Sequence, residues 1–188
     1  MSKLVVGLTG PIGSGKDTLA LGLVERMGAK RVKFADPLYA MANALDSAIH
    51  PDMPHSAKDA PLWDKEGMPT RRKVMETLGT EWGRALHTTL WLDAAKASIE
   101  AAAEELVVVS DVRFENEAEY IRSVGVLVHL YPNWDCPRTG HVSDTRLAKH
   151  PRDVILPLSN GQVADGLKGL EQIVSLYRLG LGDSIGIP

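Results

Sequence analysis

The chain has 188 residues, 44% hydrophobic and 24% charged, a size at which one compact domain can bury its own core. Its 21 Lys+Arg against 24 Asp+Glu give a formal net charge of −3, and no basic block exceeds Arg71-Arg72-Lys73, which argues against a surface that coats nucleic acid. Cys136 is the only cysteine, so an internal disulfide and a cysteine-based zinc site are both excluded, and with no apolar run long enough to cross a bilayer the expectation is a soluble cytoplasmic protein with no membrane partner.

Leu4-Val-Val-Gly-Leu8 is a near-continuous apolar run of the kind found in strands buried on both faces of a parallel sheet. From Lys16, the residues Leu19, Leu23, Val24 and Met27 recur at helical spacing, and Gly28 stands where a helix would end. Asp36-Pro37 reads as N-cap and first helical position, followed by an inward stripe of Leu38, Met41 and Leu45. Residues 50–70 hold Pro51, Pro54, Pro61 and Pro69 with little periodicity, which predicts a long loop or small insert. Val74, Leu78, Trp82 and Leu86 fall at i+4 steps interrupted by Gly79, and an alanine-rich helix is predicted over Trp91 to Glu105.

Leu106-Val-Val-Val109 is the second clear buried strand, and it places Ser110-Asp111 at its carboxyl end, where open α/β sheets bind ligands. A helix over Glu115 to Val124 and a strand over Val126 to Tyr131 follow. Residues 132–152 read as an irregular basic lid carrying Arg138, Arg146, Lys149 and Arg152. A short strand at Val154-Ile-Leu156, a turn at Asn160-Gly161 and a helix faced by Val163, Leu167, Leu170, Val174 and Tyr177 complete the order. The alternation predicts a single three-layer α/β domain over residues 1–178, its parallel sheet flanked by helices, with a loose tail at 179–188.

Gly10-x4-Gly15-Lys16 matches the phosphate-loop pattern, in which backbone N–H groups and a helix N-terminus surround an anion while the lysine reaches the β- and γ-phosphates. Pro11, Ile12, Gly13, Ser14, Gly15, Lys16, Asp17 and Thr18 are therefore the candidate ATP-binding residues. One position departs from the pattern: Asp17 stands where a Ser or Thr hydroxyl would coordinate Mg2+. Asp17 either holds a metal-bound water or stabilises the first helical turn through the dipole, and Thr18 is a second source of a hydroxyl. Asp111 can hold Mg2+ through its water shell, and Arg113 can clamp a phosphate bidentately; a salt bridge to Glu115 or Glu117 is the structural alternative. Arg72 is either a functional cation or an i,i+4 partner of Glu76. The tryptophans read first as core or cover, His129 as structural, and His141 as undecided.

These blocks occur in a telling order: Gly7-Leu-Thr-Gly10 through Gly-Ser-Gly-Lys16-Asp-Thr18, Phe34-Ala-Asp-Pro-Leu38, Arg72, Leu78-Gly-Thr-Glu81, Trp91, Ser110-Asp-Val-Arg-Phe114 with Asn116-Glu117, and His141-Val-Ser-Asp144. Together they resemble the bacteriophage-type deoxynucleoside monophosphate kinases, over roughly Lys3 to Tyr177. The resemblance implies a P-loop NTPase fold with an acceptor-binding insert and a lid, and transfer of the ATP γ-phosphoryl to a deoxynucleoside 5′-monophosphate with Mg2+ as cofactor. It implies Lys16, Asp111 and Arg113 as catalytic residues, and Asp36, Arg72, Trp91, Asp111, Arg113 and Glu117 as the acceptor side. Host cytoplasm would be the compartment of a phage-encoded member, and a homodimer is compatible with the resemblance. The family usually carries a lysine after Asp-Pro-Leu, and this chain has Tyr39. The alternatives are another small P-loop kinase, of the dephospho-coenzyme A or phosphomevalonate type, and an ATP-gated binding module; the acceptor-side residues favour the nucleotide kinase.

Overall fold

The computed structural model describes residues 3–136 and 147–182, apart from the His55 side chain. The chain divides into two compact units, Met1–Lys33 with Ile99–Pro188, and Phe34–Ser98.

The first unit is built on a five-stranded parallel sheet: β1 (Leu4–Thr9), β2 (Lys30–Val32), β3 (Leu106–Val109), β4 (Gly125–Pro132) and β5 (Val154–Leu158). The strands lie in the order β2-β3-β1-β4-β5, so β1 is central and its carboxyl end opens directly into the glycine loop. Register is set by Val5 opposite Val107 on one side and Gly125 on the other.

Alternation along β1 assigns the faces. Val6 and Leu8 join Val108, Val126 and Val128 in a core with Leu19 and Leu23 of α1 (Lys16–Met27) and the Leu167, Leu170 and Val174 stripe of the C-terminal helix, Val163–Arg178. Gly7 points to the other face, where Ile121 lies so close that a Cβ on Gly7 would stand 2.7 Å from its Cγ2. Ile121 belongs to the helix Glu115–Val124, so helices cover both faces and the α/β, parallel-sheet architecture read from the alternation is the one observed. The structure adds β2, three residues whose Lys-Arg-Val sequence carries no apolar run. It also ends α1 where expected, with Gly28 left-handed at φ 64° and its N–H donating to the Val24 carbonyl at 3.1 Å.

The second unit contains α2 (Asp36–Asn43), α3 (His55–Lys58), a 3-10 turn (Leu62–Asp64), α4 (Arg71–Glu76), a π-helical stretch (Thr77–Gly83), α5 (Arg84–Leu86) and most of α6 (Leu90–Ala101). The helix Glu115–Val124 is thus α7, and Val163–Arg178 is α8. Three sequence expectations fail here. In α2 the buried residues are Leu38, Tyr39 and Ala42, an i, i+1, i+4 face that leaves Met41 off it, and Leu45 falls beyond the end of the helix, so Met41 and Leu45 are exposed. Val74, Leu78, Trp82 and Leu86 do not share one buried face: the π stretch widens the turn and rotates Trp82 and Leu86 into solvent. Gly79 sits inside this continuous helical run, within the π-helical stretch, and Ala35, not Asp36, occupies the N-cap of α2.

Candidate functional site

The loop between β1 and α1 is shaped by its glycines. Gly13 and Gly15 have φ of 79° and 83°, a left-handed backbone that residues with a Cβ adopt only with strain. The turn through Gly15 delivers Lys16 to the first position of α1. Its ammonium donates to the carbonyls of Gly10 (2.8 Å) and Pro11 (2.7 Å) and lies 3.3 Å from the buried Ser14 hydroxyl. The loop thus folds around its own lysine, whose partners are carbonyls that an incoming phosphate oxygen would replace.

Burial, and then the positive field of Arg113, pull the Lys16 ammonium down to about 8, against the opposing fields of Asp17, Cys136 and Asp111. Near neutral pH the group is still mainly charged, and the sign of its coupling to a phosphate follows directly. A polyanion favours the ammonium, so it raises this pKa on binding. ATP binding near pH 8.5 should therefore take up protons, and affinity should fall as pH rises through 8. Calorimetry in two buffers of different ionisation enthalpy reads this uptake; it should vanish in Lys16→Ala, and equal heats in the two buffers for the wild-type protein would contradict it.

Asp17 follows Lys16 and has a defined environment. Its Oδ1 accepts from the Ser110 hydroxyl at 2.8 Å and pairs with Lys33 Nζ at 2.8 Å. Ser110 follows β3 and Lys33 follows β2, so the carboxyl ends of two neighbouring strands converge on the first turn of α1. Thr18 is exposed on that turn.

Past β3, the Val112 amide donates to the Leu8 carbonyl at 3.3 Å, which ties the Ser110–Arg113 segment to the end of β1. Asp111 and Arg113 thereby fall in the electrostatic neighbourhood of Lys16. Glu117 is buried, and its Oε2 accepts from the amides of Arg113 (2.9 Å) and Phe114 (3.1 Å), capping α7. The carboxylate shapes the backbone on either side of Arg113.

The other residues expected on the acceptor side lie in the second unit. Asp36 opens α2. Arg72 forms a two-pronged pair with Asp59 at 2.6 and 3.1 Å, in place of the i,i+4 pair with Glu76 that its spacing suggested. Trp91 is buried; its indole N–H donates to the Gly79 carbonyl at 2.7 Å, and its ring packs so closely on Gly83 that a Cβ there would lie 2.7 Å from Nε1. Trp91 thus secures the π-helical stretch. Tyr39 is buried in the small core of this unit, with its hydroxyl accepting from Lys58 Nζ at 3.3 Å.

Two networks escaped the sequence reading. Arg71 is buried and bonds Asp46 at 2.8 Å and Asp64 at 3.1 Å, with Asp46 also accepting from the Trp63 amide at 3.0 Å; the local backbone is strained, Trp63 and Asp64 having φ of 56° and 53°. Asp153, at the start of β5, accepts from Arg122 at 2.8 and 2.9 Å, from the His150 amide at 2.9 Å, and contacts His129 Nε2 at 2.8 Å. The structural assignment of His129 fits this network. No sequence periodicity signals the long-range pairs, because Arg71 and Asp46 are 25 residues apart and Asp153 lies 24 and 31 residues from His129 and Arg122. Of the basic lid, Lys149 and Arg152 are described, while Arg138, His141 and Arg146 lie outside the described residues.

No family model matches the chain. A protein of Acanthamoeba polyphaga mimivirus named as a deoxynucleotide monophosphate kinase is 32% identical over an alignment of 142 positions, covering 65% of this chain and 70% of that one. The deoxynucleoside-5′-monophosphate kinase of Escherichia phage T5 is 24% identical over 184 positions, covering 66% and 74%. Among solved structures, a shikimate kinase from Bacteroides thetaiotaomicron covers 92% of this chain and 99% of its own at 12% identity and a TM-score of 0.49. A glycine loop leaving the central strand of a parallel sheet, together with these sequence relatives, makes this protein a kinase. It belongs to the deoxynucleotide monophosphate kinase family. Among the described residues, no helix is long and apolar enough to cross a membrane.

Proposed function

We propose that this protein transfers the γ-phosphoryl group of ATP to a deoxynucleoside 5′-monophosphate, giving ADP and the diphosphate. The observation that carries the reading is Lys16, held in a glycine loop within the fields of Arg113 and Asp111. Loop amides from Gly13 to Lys16 receive the β-phosphate, and the Lys16 ammonium turns from the Gly10 and Pro11 carbonyls to the phosphate oxygens. Arg113 offsets charge on the phosphoryl group in flight. No protein nucleophile is required, because the acceptor phosphate oxygen attacks in line. Asp36, Arg72 and Glu117 are the acceptor-side candidates, with Trp91 shaping the segment around Gly79.

Mg2+ suits this donor set. The described residues contain no cluster of three or more His, Cys, Asp or Glu side chains that would form an all-protein cage, and Mg2+ is commonly held by one or two carboxylates together with phosphates and water. Asp111 would hold it through water. When bound, the ion neutralises charge on the β- and γ-phosphates.

A coupled assay presenting ATP with each deoxynucleoside monophosphate, with dephospho-coenzyme A and with phosphomevalonate tests the acceptor class. Turnover with at least one deoxynucleoside monophosphate and none with the other two is expected. Turnover confined to another acceptor would replace this reading with the corresponding kinase, and tight ATP binding without any turnover would leave a nucleotide-gated switch.

A further inference from the structure

Asp17 occupies the position where the phosphate-loop pattern supplies a hydroxyl, and the structure gives its carboxylate a specific partner. Lys33 is among the few buried charged residues; its side chain is 4% exposed, and its ammonium lies 2.8 Å from Asp17 Oδ1. The Ser110 hydroxyl donates to the same oxygen. We propose that Lys33 is a positioning residue of the phosphate loop, holding Asp17 as a charge-neutralised strut between the first turn of α1 and the carboxyl ends of β2 and β3. The inference rests on reading Gly10–Thr18 as the ATP loop.

Three physical points carry it. A buried ammonium is retained in a folded protein when an anion compensates it, so the pair is a fixed feature of the loop's support. An oxygen that already faces an ammonium at hydrogen-bond distance is a poor ligand for Mg2+, since the two cations would repel at close range; Asp17 Oδ1 therefore serves the backbone of α1 and not the metal. An uncompensated carboxylate one residue beyond Lys16 would oppose the binding of a triphosphate, and Lys33 cancels that charge from the protein side, where the nucleotide does not compete for it. Sequence reading left Asp17 divided between a dipole role and a metal role. The Lys33 contact assigns a third.

The test is a double-mutant cycle on the full chain: Lys33→Met, Asp17→Asn and the two together. The readouts are the ATP dissociation constant measured in EDTA by calorimetry, the thermal midpoint, and the split between kcat and the ATP KM with Mg2+ present. Lys33→Met alone should weaken metal-free ATP binding by roughly tenfold or more, because Asp17 then loses the buried ammonium that offsets its charge. In the Asp17→Asn background the same substitution should change affinity by less than about threefold, because no charge remains to be cancelled. The ATP KM should carry the loss in Lys33→Met, with the acceptor KM unchanged. Equal effects of Lys33→Met in the wild-type and Asp17→Asn backgrounds would overturn the proposal. If Lys33→Met fails to fold while the double variant folds, the coupling is supported; if both fail, Lys33 acts through packing independent of Asp17 and the proposal is overturned. Absence of ATP binding by the wild-type protein would instead overturn the parent reading.

Discussion

Lys16→Ala is expected to lower kcat/KM for phosphoryl transfer by roughly three orders of magnitude or more while leaving the protein folded. The two halves of this result have separate causes. Lys16 is the loop's own cation, the one that the proposed function turns toward the phosphates, and no other described lysine stands within the glycine loop to replace it. In the empty loop, by contrast, the partly buried ammonium donates to the Gly10 and Pro11 carbonyls of the loop itself, so its removal alters the loop and not the sheet beneath it. The apolar core that fixes β1 and α1 uses Val6, Leu8, Leu19 and Leu23, none of which the substitution touches. Steady-state kinetics and a melting curve check both halves. An active, folded Lys16→Ala protein would remove the basis for the assignment.

Gly125→Ala is expected to have the largest effect on stability among single-atom-scale changes. Gly125 opens β4 opposite Val5 of β1, in extended backbone at φ 176°, so conformational strain is not the issue. Space is. A Cβ at this position would overlap the Val5 carbonyl oxygen and lie 2.7 and 2.9 Å from the Val5 carbonyl carbon and nitrogen. Backbone atoms in the middle of a parallel sheet cannot swing aside as a side chain would, so β1 and β4 must separate locally. About 3 kcal/mol or more of destabilisation follows, which for a chain of this size lowers the melting temperature by roughly 6–12 °C. Because β1 opens at its other end into the glycine loop proposed to hold ATP, the same variant should weaken ATP binding at temperatures where it remains folded. A melting temperature within about 2 °C of wild type would show that the β1–β4 register differs from the one described.

What the sequence made legible follows from periodicity and local chemistry. Buried parallel strands announce themselves as apolar runs, which is why Leu4–Leu8 and Leu106–Val109 were recognisable, and Gly28 marked the end of α1 because a left-handed C-cap favours glycine. β2 was invisible because a three-residue edge strand of Lys-Arg-Val needs no apolar run. The π-helical stretch was invisible because i+4 counting assumes a constant turn, and one widened turn rotates every later residue off the predicted face. At the loop, the glycine and lysine spacing gave the candidate phosphate site directly. The partner of Asp17 was not readable: Lys33 lies 16 residues away on a different strand end, and only the parallel order β2-β3-β1 brings it beneath α1. The sole hint was a charged residue set between the apolar Val32 and Phe34. For Arg72 the local alternative to a functional cation is an i,i+4 pair with Glu76, and the fold supplies Asp59 instead.

The central claim is that the γ-phosphoryl group moves from ATP to the phosphate of a deoxynucleoside monophosphate. Incubating the protein with γ-labelled ATP, Mg2+ and an equimolar mixture of the four deoxynucleoside monophosphates, then separating the products, tests it directly. Label appearing in one or more deoxynucleoside diphosphates, and lost with Lys16→Ala, is the predicted result. Label released only as inorganic phosphate, or retained in ATP with every acceptor, would contradict it.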